Sequence, residues 1–270
     1  MSDRTEQACT RHADRILAKA NVVGIAGGDD RVLVLVTAKQ PLSTLATDDV
    51  VDEQVDGIDT DVVEVGTIEA LLAPGASIGI PSGGTGTYGG PVVDETGTRY
   101  LLTNNHVAAA SNGARVLTEI VSPGPADGTG QPIGRLARFE PIWFDALNWI
   151  DAALVRADGP LGTLPHATTT TGRVGWTVHK TGRTSGHTTG KIIGRNATVD
   201  IGFGSGRVAR FAGQIITDHM LDPGDSGSVL LSRAGHPVGL GFAGSPTVSL
   251  HNPINLVLRT LGVRFAGPND

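Results

Sequence analysis

The sequence predicts a mainly β protein with a small α/β segment at its N-terminal end. Glycine occurs 38 times and proline 15 times, and both punctuate short runs rich in Val, Ile and Thr. This pattern is typical of many short strands joined by turns. Because long helical periodicity is scarce, we expect a sandwich or a pair of barrels rather than βαβ units for most of the 270 residues.

The first 74 residues predict a small α/β domain. Residues 5–20 carry apolar side chains at helical spacing, so they predict an amphipathic helix. Two apolar runs, 21–28 and 31–39, follow on either side of a Gly-Gly-Asp-Asp turn and predict a hairpin. An acidic stretch at 48–61 leads into a further strand at 61–66, and its carboxylates lack the spacing of a calcium loop.

From residue 75 to residue 270 the sequence predicts a second, all-β domain. Short strand-like runs recur with turn residues between them, and a last helix is expected at 255–260, capped by Gly262. The segment GGTGTYGG at 83–90 has the glycine spacing of a dinucleotide-binding loop. A strand rather than a helix follows it, however, so a glycine-rich hairpin accounts for it better.

Composition excludes several classes of partner. The net charge of −6, without a Lys/Arg cluster, argues against nucleic acid, and no apolar run reaches membrane-spanning length. Cys9 is the only cysteine, so an intramolecular disulfide is impossible and a reducing compartment is favoured. The polar N-terminal segment lacks the apolar core of a signal peptide, and we therefore expect a cytoplasmic protein. No metal-ligand motif is present, and we expect no cofactor.

Three segments hold the residue types of a nucleophilic hydrolase. Ser226 lies in PGDSGS, a pattern that also suits an ordinary polar turn. His106 lies where an apolar strand enters a turn of small residues, and Asp151 opens an apolar strand that would bury it. Asp145 and Asp158 compete with Asp151 for the role of the acid. A hydroxyl, an imidazole and a carboxylate in the order His, Asp, Ser follow the chymotrypsin arrangement.

Residues 75–265 resemble a trypsin-like (chymotrypsin-fold) serine protease domain. The resemblance rests on TNNHV, DAALVR and PGDSGS, and VGWTVHKTGRTSGHTTG is similar to a segment of the bacterial α-lytic protease and streptogrisin branch. Taken whole, the chain most resembles the plant narrow-leaf-type trypsin-like proteases and their bacterial relatives. The resemblance implies a double six-stranded antiparallel β-barrel with a C-terminal helix. It also implies a serine endopeptidase that uses His106, Asp151 and Ser226 as catalytic residues and forms an acyl-enzyme.

The resemblance implies further roles around the nucleophile. The N–H groups of Gly224 and Ser226 would form the oxyanion hole. Matching the segment KTGRTSG without gaps places Arg183 opposite Asp225 as a structural ion pair. We expect that pairing to hold the loop without a newly cut N-terminus.

The resemblance also implies a substrate site. Met220, six residues before the nucleophile, would lie at the base of the primary pocket and favour cleavage after small or medium apolar residues. Phe242, Ala243 and Gly244 would offer backbone hydrogen bonds to an extended substrate. Phe242 stands where the family usually has a serine that supports the aspartate, so Asp151 requires another support. The nearby acid Asp222 is an alternative influence on the pocket.

These features leave two classes of function open. The first is a serine endopeptidase that acts on a peptide or protein substrate. The second is a peptide-binding or scaffold protein on a protease fold, with latent or self-directed cleavage. The resemblance leaves a homo-oligomer open as well, and a reagent specific for reactive serines separates the two classes.

Overall fold

A computed structural model of the chain describes residues 2–66, 72–267 and 270. The chain divides into two compact units, Met1–Ala70 and Leu71–Asp270. None of the helices in the described ranges has the length and apolar character needed to cross a membrane.

The N-terminal unit is a four-stranded sheet with one helix. Its elements are α1 (Ser2–Leu17), β1 (Val22–Gly27), β2 (Val32–Val36), β3 (Gln54–Val55) and β4 (Ile58–Glu64). The sheet order is β1-β2-β4-β3; β1 and β2 form the expected antiparallel hairpin, whereas β2 and β4 are parallel. Ala8 and Ile16 of α1 pack against Val32 and Val34, because alternate residues of β2 face the helix.

Strands far outnumber helices among the regular elements of the second unit. Its elements are β5 (Ser77–Gly79), β6 (Thr85–Thr87), β7 (Gly90–Val93), β8 (Arg99–Thr103), α2 (Asn105–Ala108), β9 (Glu119–Ser122), β10 (Gln131–Phe139), β11 (Leu147–Asn148), β12 (Ala153–Ala157), β13 (Thr177–Gly182), β14 (Gly186–Gly202), β15 (Val208–Asp218), β16 (Val229–Ser232), β17 (Pro237–Gly244), β18 (Val248–Pro253), α3 (Ile254–Leu261) and β19 (Arg264–Phe265).

The first large sheet forms a barrel of six strands. Its order is β19-β7-β8-β12-β10-β9-β5-β6, and only two residues separate β6 from β7. β6 and β7 are therefore the two halves of one bent strand. Because β6 pairs at one end of the sheet order and β7 at the other, this bent strand closes the barrel. The short β19 is added on β7. As the sequence predicts, Gly83 and Gly84 lie in the turn of a hairpin, between β5 and β6.

The second large sheet closes into another six-stranded barrel. Its order is β11-β15-β14-β13-β16-β17-β18, and β15 also pairs with β18. That extra pairing closes the ring, and β11 is a short parallel addition to β15. The predicted chymotrypsin-like double β-barrel is confirmed in both halves of this unit.

Each barrel has its own apolar core, and the C-terminal helix covers a third cluster. Ile78, Leu101 and Leu136 lie in the first barrel, and Val178 and Leu230 lie in the second. Helix α3 contributes four buried apolar side chains to the cluster that also contains residues of β7, β8, β12, β16 and β17. The helix ends at Gly262, which adopts the left-handed conformation that favours glycine at a helix C-terminus, as predicted.

Candidate active site

His106 and Asp151 come together at the end of two paired strands of the first barrel. His106 lies in α2, directly after β8, and Asp151 precedes β12, the antiparallel neighbour of β8. His106 Nδ1 lies 2.5 Å from Asp151 Oδ2. The Asp151 side chain is fully buried, whereas that of His106 is 23% exposed. An imidazole with one nitrogen fixed by a buried carboxylate keeps the other nitrogen free for proton transfer.

Asp151 is held without the serine that the family usually supplies. The backbone N–H of His106 donates to Asp151 Oδ1 over 3.2 Å. Two buried amide side chains hold the Asp151 backbone: Asn104 donates to its carbonyl and Asn252 accepts from its N–H. Asn252 is fixed in turn by donating to Gln214 Oε1 over 2.7 Å. Asp151 is therefore positioned mainly through its own main chain.

Ser226 lies in a tight turn before β16, and its loop is anchored to the first barrel. Thr87 Oγ1 donates to the Gly224 carbonyl over 2.8 Å, and Thr87 N donates to the Ser226 carbonyl over 2.7 Å. The Gly227 N–H donates to the Gly241 carbonyl. These bonds hold Ser226 against β6 of the first barrel. A Cβ atom on Gly86 of that strand would lie 2.9 Å from the Ser226 carbonyl oxygen and would collide with the side chain of Val107, the residue after His106.

The Ser226 hydroxyl donates to the Phe242 carbonyl over 3.5 Å. Within the described residues it makes no hydrogen bond to His106 Nε2. Such bonds are often long or absent in free enzymes and form when substrate binds. The three predicted catalytic residues thus lie on the expected elements, and the imidazole–carboxylate contact is formed.

Two backbone N–H groups of the loop are left without acceptors. Among the described residues, neither Gly224 N nor Ser226 N donates a hydrogen bond. Gly224 has φ +103°, a conformation that other residues rarely adopt. Free N–H groups beside a serine hydroxyl are the donors that an oxyanion hole requires, and that role stays a prediction for these residues.

The structure corrects the predicted ion pair between Arg183 and Asp225. Asp225 is fully buried, and Lys180 Nζ, also fully buried, lies 2.8 Å from its Oδ2. The physical reason is strand geometry. Val178 and Lys180 are alternate residues of β13 and both face the barrel interior, whereas Arg183 follows the strand. That two-residue period in TVHKTG is the signal that identifies Lys180 from the sequence.

The environment of Asp225 keeps it ionised. Burial alone would raise its pKa, but hydrogen bonds from Lys180 and Ser185, and from the N–H groups of Asp222 and Ser185, lower the pKa to about 2. Ser185 contributes both its hydroxyl and its N–H, and Thr184 N donates as well over 2.9 Å. Asp225 therefore ties the loop that carries the candidate nucleophile Ser226 (residues 222–226, the nucleophile loop) to the end of β13.

Arg183 binds a different carboxylate. Its Nε lies 2.7 Å from Asp127 Oδ2, and its Nη2 contacts Asp127 Oδ1, so the two side chains form a two-point pair. The hydrogen bonds from Arg183 and then from Ser77 hold the pKa of Asp127 below its usual value. Arg183 also donates to the Thr184 hydroxyl, which in turn donates to the Pro223 carbonyl of the nucleophile loop.

A cavity of about 480 Å³ opens beside Ser226. It lies between the segment before Ser226 and the end of β17. Its lining residues are His219, Leu221, Asp222, Pro223, Ser226, Ala243, Gly244, Ser245 and Pro246. The wall is largely apolar, and His219 is one of its polar residues. His219 Nδ1 lies 2.9 Å from the Ser245 carbonyl, and its Nε2 lies 3.4 Å from the Asp222 carboxylate.

The structure also corrects the predicted role of Met220. Its side chain is 1% exposed and belongs to the core cluster of the second barrel, with Val178 and Leu230. A Cβ atom on Gly190 would lie 2.7 Å from Met220 Sδ, so the missing side chain at Gly190 gives Met220 room inside the barrel. The next residue, Leu221, lines the cavity instead.

Residues 242–244 present an unpaired strand edge toward the cavity. In β17, Ala243 and Gly244 pair with β18 on one side, and β16 ends its pairing at Leu240 on the other. The Phe242 side chain is buried in a cluster with Phe211 and Leu250, so only its backbone faces Ser226. The backbone role of this segment toward a substrate stays a prediction, and the buried Phe242 side chain is not among the residues that line the cavity.

Phe203, which sequence reasoning did not identify, lies against His106. It follows β14 and its ring centroid is 6.2 Å from that of His106, in an edge-on arrangement. Phe144 and Phe211 contact Phe203 in turn. This contact depends on where a 17-residue strand ends, which the sequence pattern does not define. In residues 2–66, 72–267 and 270, no group of three or more His, Cys, Asp or Glu residues could hold a metal ion.

Comparisons with solved structures agree with this fold. Nocardiopsis protease superposes with a TM-score of 0.57 and 20% sequence identity, over 73% of this chain and 100% of that chain. Protease A of Thermobifida fusca gives 0.54 and 18% identity over 73% and 99%. A glutamic acid-specific serine protease gives 0.55 and 19% identity over 72% and 100%. At these identities the likeness establishes a chymotrypsin-like fold.

Comparison with curated protein sequences gives no significant match. The family model described as a trypsin-like peptidase domain matches residues 84–240, which is more than half of the chain and contains His106, Asp151 and Ser226. The chain therefore belongs to the trypsin-like peptidase domain family.

Proposed function

We propose that this protein is a serine endopeptidase that cleaves peptide bonds through an acyl-enzyme intermediate. The observation that carries the proposal is the pair of N–H groups of Gly224 and Ser226. Both lack acceptors within the described residues, and both belong to the loop that carries the candidate nucleophile. A peptide-binding scaffold gains nothing from donors held for a charge that develops only during reaction.

The proposed reaction uses the three side chains in turn. Ser226 Oγ bonds to the substrate carbonyl carbon while its proton passes to His106 Nε2, and the carbonyl oxygen becomes an anion that accepts from the two N–H groups. The carbon–nitrogen bond then breaks as His106 gives the proton to the leaving amine. A water molecule then bonds through its oxygen to the acyl carbon while His106 takes its proton. The bond between the acyl carbon and Ser226 Oγ breaks as His106 returns the proton to that oxygen, which restores the hydroxyl and releases the acid. Asp151 stabilises the imidazolium in both halves.

The substrate is proposed to bind as an added strand. The free edge of residues 242–244 offers main-chain groups, and the adjacent cavity takes the side chain that precedes the cleaved bond. Because Leu221, Ala243 and Pro246 line that cavity, we propose cleavage after small or medium apolar residues. The glutamic acid-specific neighbour uses a histidine triad in substrate binding. The described lining residues here include a single histidine, which lies beside the Asp222 carboxylate.

Labelling with a fluorophosphonate probe tests this function. We expect the wild-type protein to be labelled, and Ser226→Ala and His106→Ala not to be labelled. Ser43→Ala, which removes an exposed hydroxyl of the N-terminal unit, is the matched control and keeps full labelling. If the wild-type protein is never labelled under any condition, the scaffold alternative replaces the proposal. If labelling is normal but only the chain itself is cut, the cleavage is self-directed.

Mass mapping of cleaved peptides gives the second readout of the same experiment. We expect cuts after residues such as Ala, Val and Leu. Cuts concentrated after Lys or Arg would contradict the apolar pocket, and their loss in Asp222→Asn would assign them to that carboxylate. The more specific resemblance to the plant narrow-leaf-type proteases stays a prediction, because no curated sequence matches.

A further inference from the structure

The peptide bond between Pro223 and Gly224 is held from the side opposite its N–H group. Thr184 Oγ1 donates to the Pro223 carbonyl over 2.8 Å. In a trans peptide the C=O and the N–H point in opposite directions. A donor that fixes the Pro223 carbonyl therefore also fixes the direction of the Gly224 N–H, which is one of the two proposed oxyanion donors.

The direction of this hydrogen bond is determined by its neighbours. Arg183 Nη1 lies 3.0 Å from Thr184 Oγ1. A guanidinium has donors only, so the hydroxyl oxygen accepts from Arg183, and its own hydrogen is left for the Pro223 carbonyl, which can only accept. The hydroxyl therefore has both of its roles filled, and it cannot turn without losing one of them.

Arg183 is fixed in turn by the first barrel. Its two-point pair with Asp127 uses Nε and Nη2, and Asp127 also accepts from Ser77 Oγ at the start of β5. Asp127 lies between β9 and β10 of that barrel, whereas Arg183 lies between β13 and β14 of the second. A continuous chain of hydrogen bonds thus runs from β5 to the Pro223 carbonyl.

Contact with Gly224 itself makes the restraint tight. A Cβ atom at position 224 would collide with Arg183 Nη1 and Thr184 Oγ1, so both side chains lie directly against the glycine. Glycine passes easily between positive and negative φ. Without a restraint, the 223–224 peptide could turn and offer its carbonyl in place of its N–H. The contacts with Arg183 and Thr184 oppose that turn.

We propose that Thr184, held by Arg183 and Asp127, is a positioning residue that keeps the Gly224 N–H directed at the developing oxyanion. The inference rests on the proposed endopeptidase function. Thr184 touches no reacting atom; it acts through the Pro223–Gly224 peptide. The ion pair that the sequence suggested for Arg183 is thus replaced by a different role beside the same loop.

Thr184→Val tests the proposal, because valine keeps the branched shape and lacks the hydroxyl. Removing an oxyanion donor outright lowers kcat by about 10² to 10³. A restraint that is merely relaxed should lower it by roughly 10- to 100-fold, since the peptide still populates the productive orientation part of the time. KM for the best mapped peptide should change by less than about threefold, because ground-state contacts are retained. Thr184→Ser restores the hydroxyl and should restore kcat.

A pair of inhibitors distinguishes positioning from a general structural effect. A peptidyl trifluoromethyl ketone forms an oxyanion on attack by serine, whereas the matching peptide alcohol cannot. In Thr184→Val the inhibition constant of the ketone should rise in proportion to the fall in kcat, and that of the alcohol should stay unchanged. Thr169→Val, which removes a hydroxyl that bonds to Asn255, is the control and should leave all three values unchanged.

The possible failures are separable. If wild type reacts with the fluorophosphonate probe but Thr184→Val keeps the wild-type kcat and ketone affinity, the positioning role is wrong. The positioning role is also wrong if Thr184→Val raises the inhibition constants of the ketone and of the alcohol by the same factor. If wild type is not labelled at all, the endopeptidase function itself fails. Urea unfolding of each variant, followed by tryptophan fluorescence, establishes that the measured protein is folded.

Discussion

Replacing Lys180 with methionine should destabilise the second unit strongly. Lys180 and Asp225 are both fully buried and lie 2.8 Å apart, so the change removes the only cation that contacts Asp225 in the described structure. Methionine fills a similar volume and adds no polar atom. What remains around the carboxylate is the Ser185 hydroxyl and the N–H groups of neighbouring residues. A buried carboxylate without a counter-charge strongly destabilises the folded state.

Two arguments give the magnitude. The pKa of Asp225 is lowered to about 2 from an ordinary value of 3.8, which corresponds to about 2 kcal/mol of stability at neutral pH. Because the folded-state pKa lies below the unfolded one, this stability is present above about pH 4 and is lost as pH falls toward about 2. Removing one partner of a buried pair typically costs about 3–5 kcal/mol. We therefore expect a loss of about 3–5 kcal/mol at pH 7, or roughly 6–20 °C in Tm.

Urea unfolding at pH 7 and pH 4 measures this loss. Trp143, Trp149 and Trp176 all belong to the second unit, so tryptophan fluorescence reports its unfolding. In Lys180→Met, burial is expected to raise the pKa of Asp225, so the carboxyl is protonated at higher pH than in wild type. The difference between variant and wild type should therefore narrow as pH falls from 7 to 4. A difference of equal size at both pH values would refute the reasoning.

A double variant and a surface control complete the experiment. Lys180→Met with Asp225→Asn leaves no unpaired charge, so it should be more stable than Lys180→Met alone, and the coupling between the two sites should exceed about 1 kcal/mol. Arg210 pairs with Asp200, and both side chains are at least half exposed. Arg210→Met should therefore leave the unfolding midpoint unchanged within error. A loss in Lys180→Met below about 1 kcal/mol would also contradict the buried-pair argument.

Two further predictions follow from the same unit. Gly224→Ala should abolish fluorophosphonate labelling in a protein that remains folded by circular dichroism. The reason is that alanine disfavours φ +103° and that its Cβ would collide with two neighbouring side chains. Gly159→Ala, where a Cβ meets nothing within 4 Å, is the control and should be labelled normally. Burial, and then the charge of Lys180, lower the pKa of the fully buried His251 to about 3 from 6.5. Its contribution to stability is complete above pH 6.5 and is lost as pH falls toward 3, so urea midpoints of His251→Gln should depend less on pH between 6.5 and 4 than those of wild type; equal slopes would contradict this.

The sequence predicted those parts of the molecule that depend on local pattern and on chain order. Short apolar runs between turn residues predicted the strands of both barrels, because strand formation follows from alternation and turn chemistry. His106 and Asp151 were identified because each sits at an end of an apolar strand, in a block of recognisable residues. Their 2.5 Å contact then follows from the pairing of β8 with β12.

Other parts depended on side-chain direction, which a count of residues does not fix. Matching KTGRTSG without gaps placed Arg183 beside Asp225, although the alternation of β13 puts Lys180 inside the barrel. Met220 stands at the expected distance from Ser226 in the chain, but it turns into the core because Gly190, on the neighbouring strand β14, leaves space there. That space depends on the packing of Gly190 against Met220, which lies 30 residues further along the chain, so it becomes visible only in the folded chain.

The nucleophile loop shows why the internal cation matters for the proposed chemistry. The buried carboxylate of Asp225 receives four hydrogen bonds from three residues in addition to Lys180 only if the loop takes its observed shape. In that shape the carbonyls of Pro223 and Gly224 are held by the hydroxyls of Thr184 and Thr87. Within the part of the chain that the structure describes, the N–H groups of Gly224 and Ser226 then donate no hydrogen bond.

Lys180 supplies this charge from the middle of a barrel strand. The loop geometry therefore does not require an ammonium group from a cut chain end to neutralise Asp225. An ion pair fixed inside the second barrel is formed whenever that barrel folds, because both partners are held by its strands and turns. The donors for the oxyanion are thereby positioned by folding itself, before any substrate binds. If Lys180→Met lowers both the affinity for the trifluoromethyl ketone and the free energy of unfolding, stability and oxyanion binding depend on this one buried pair.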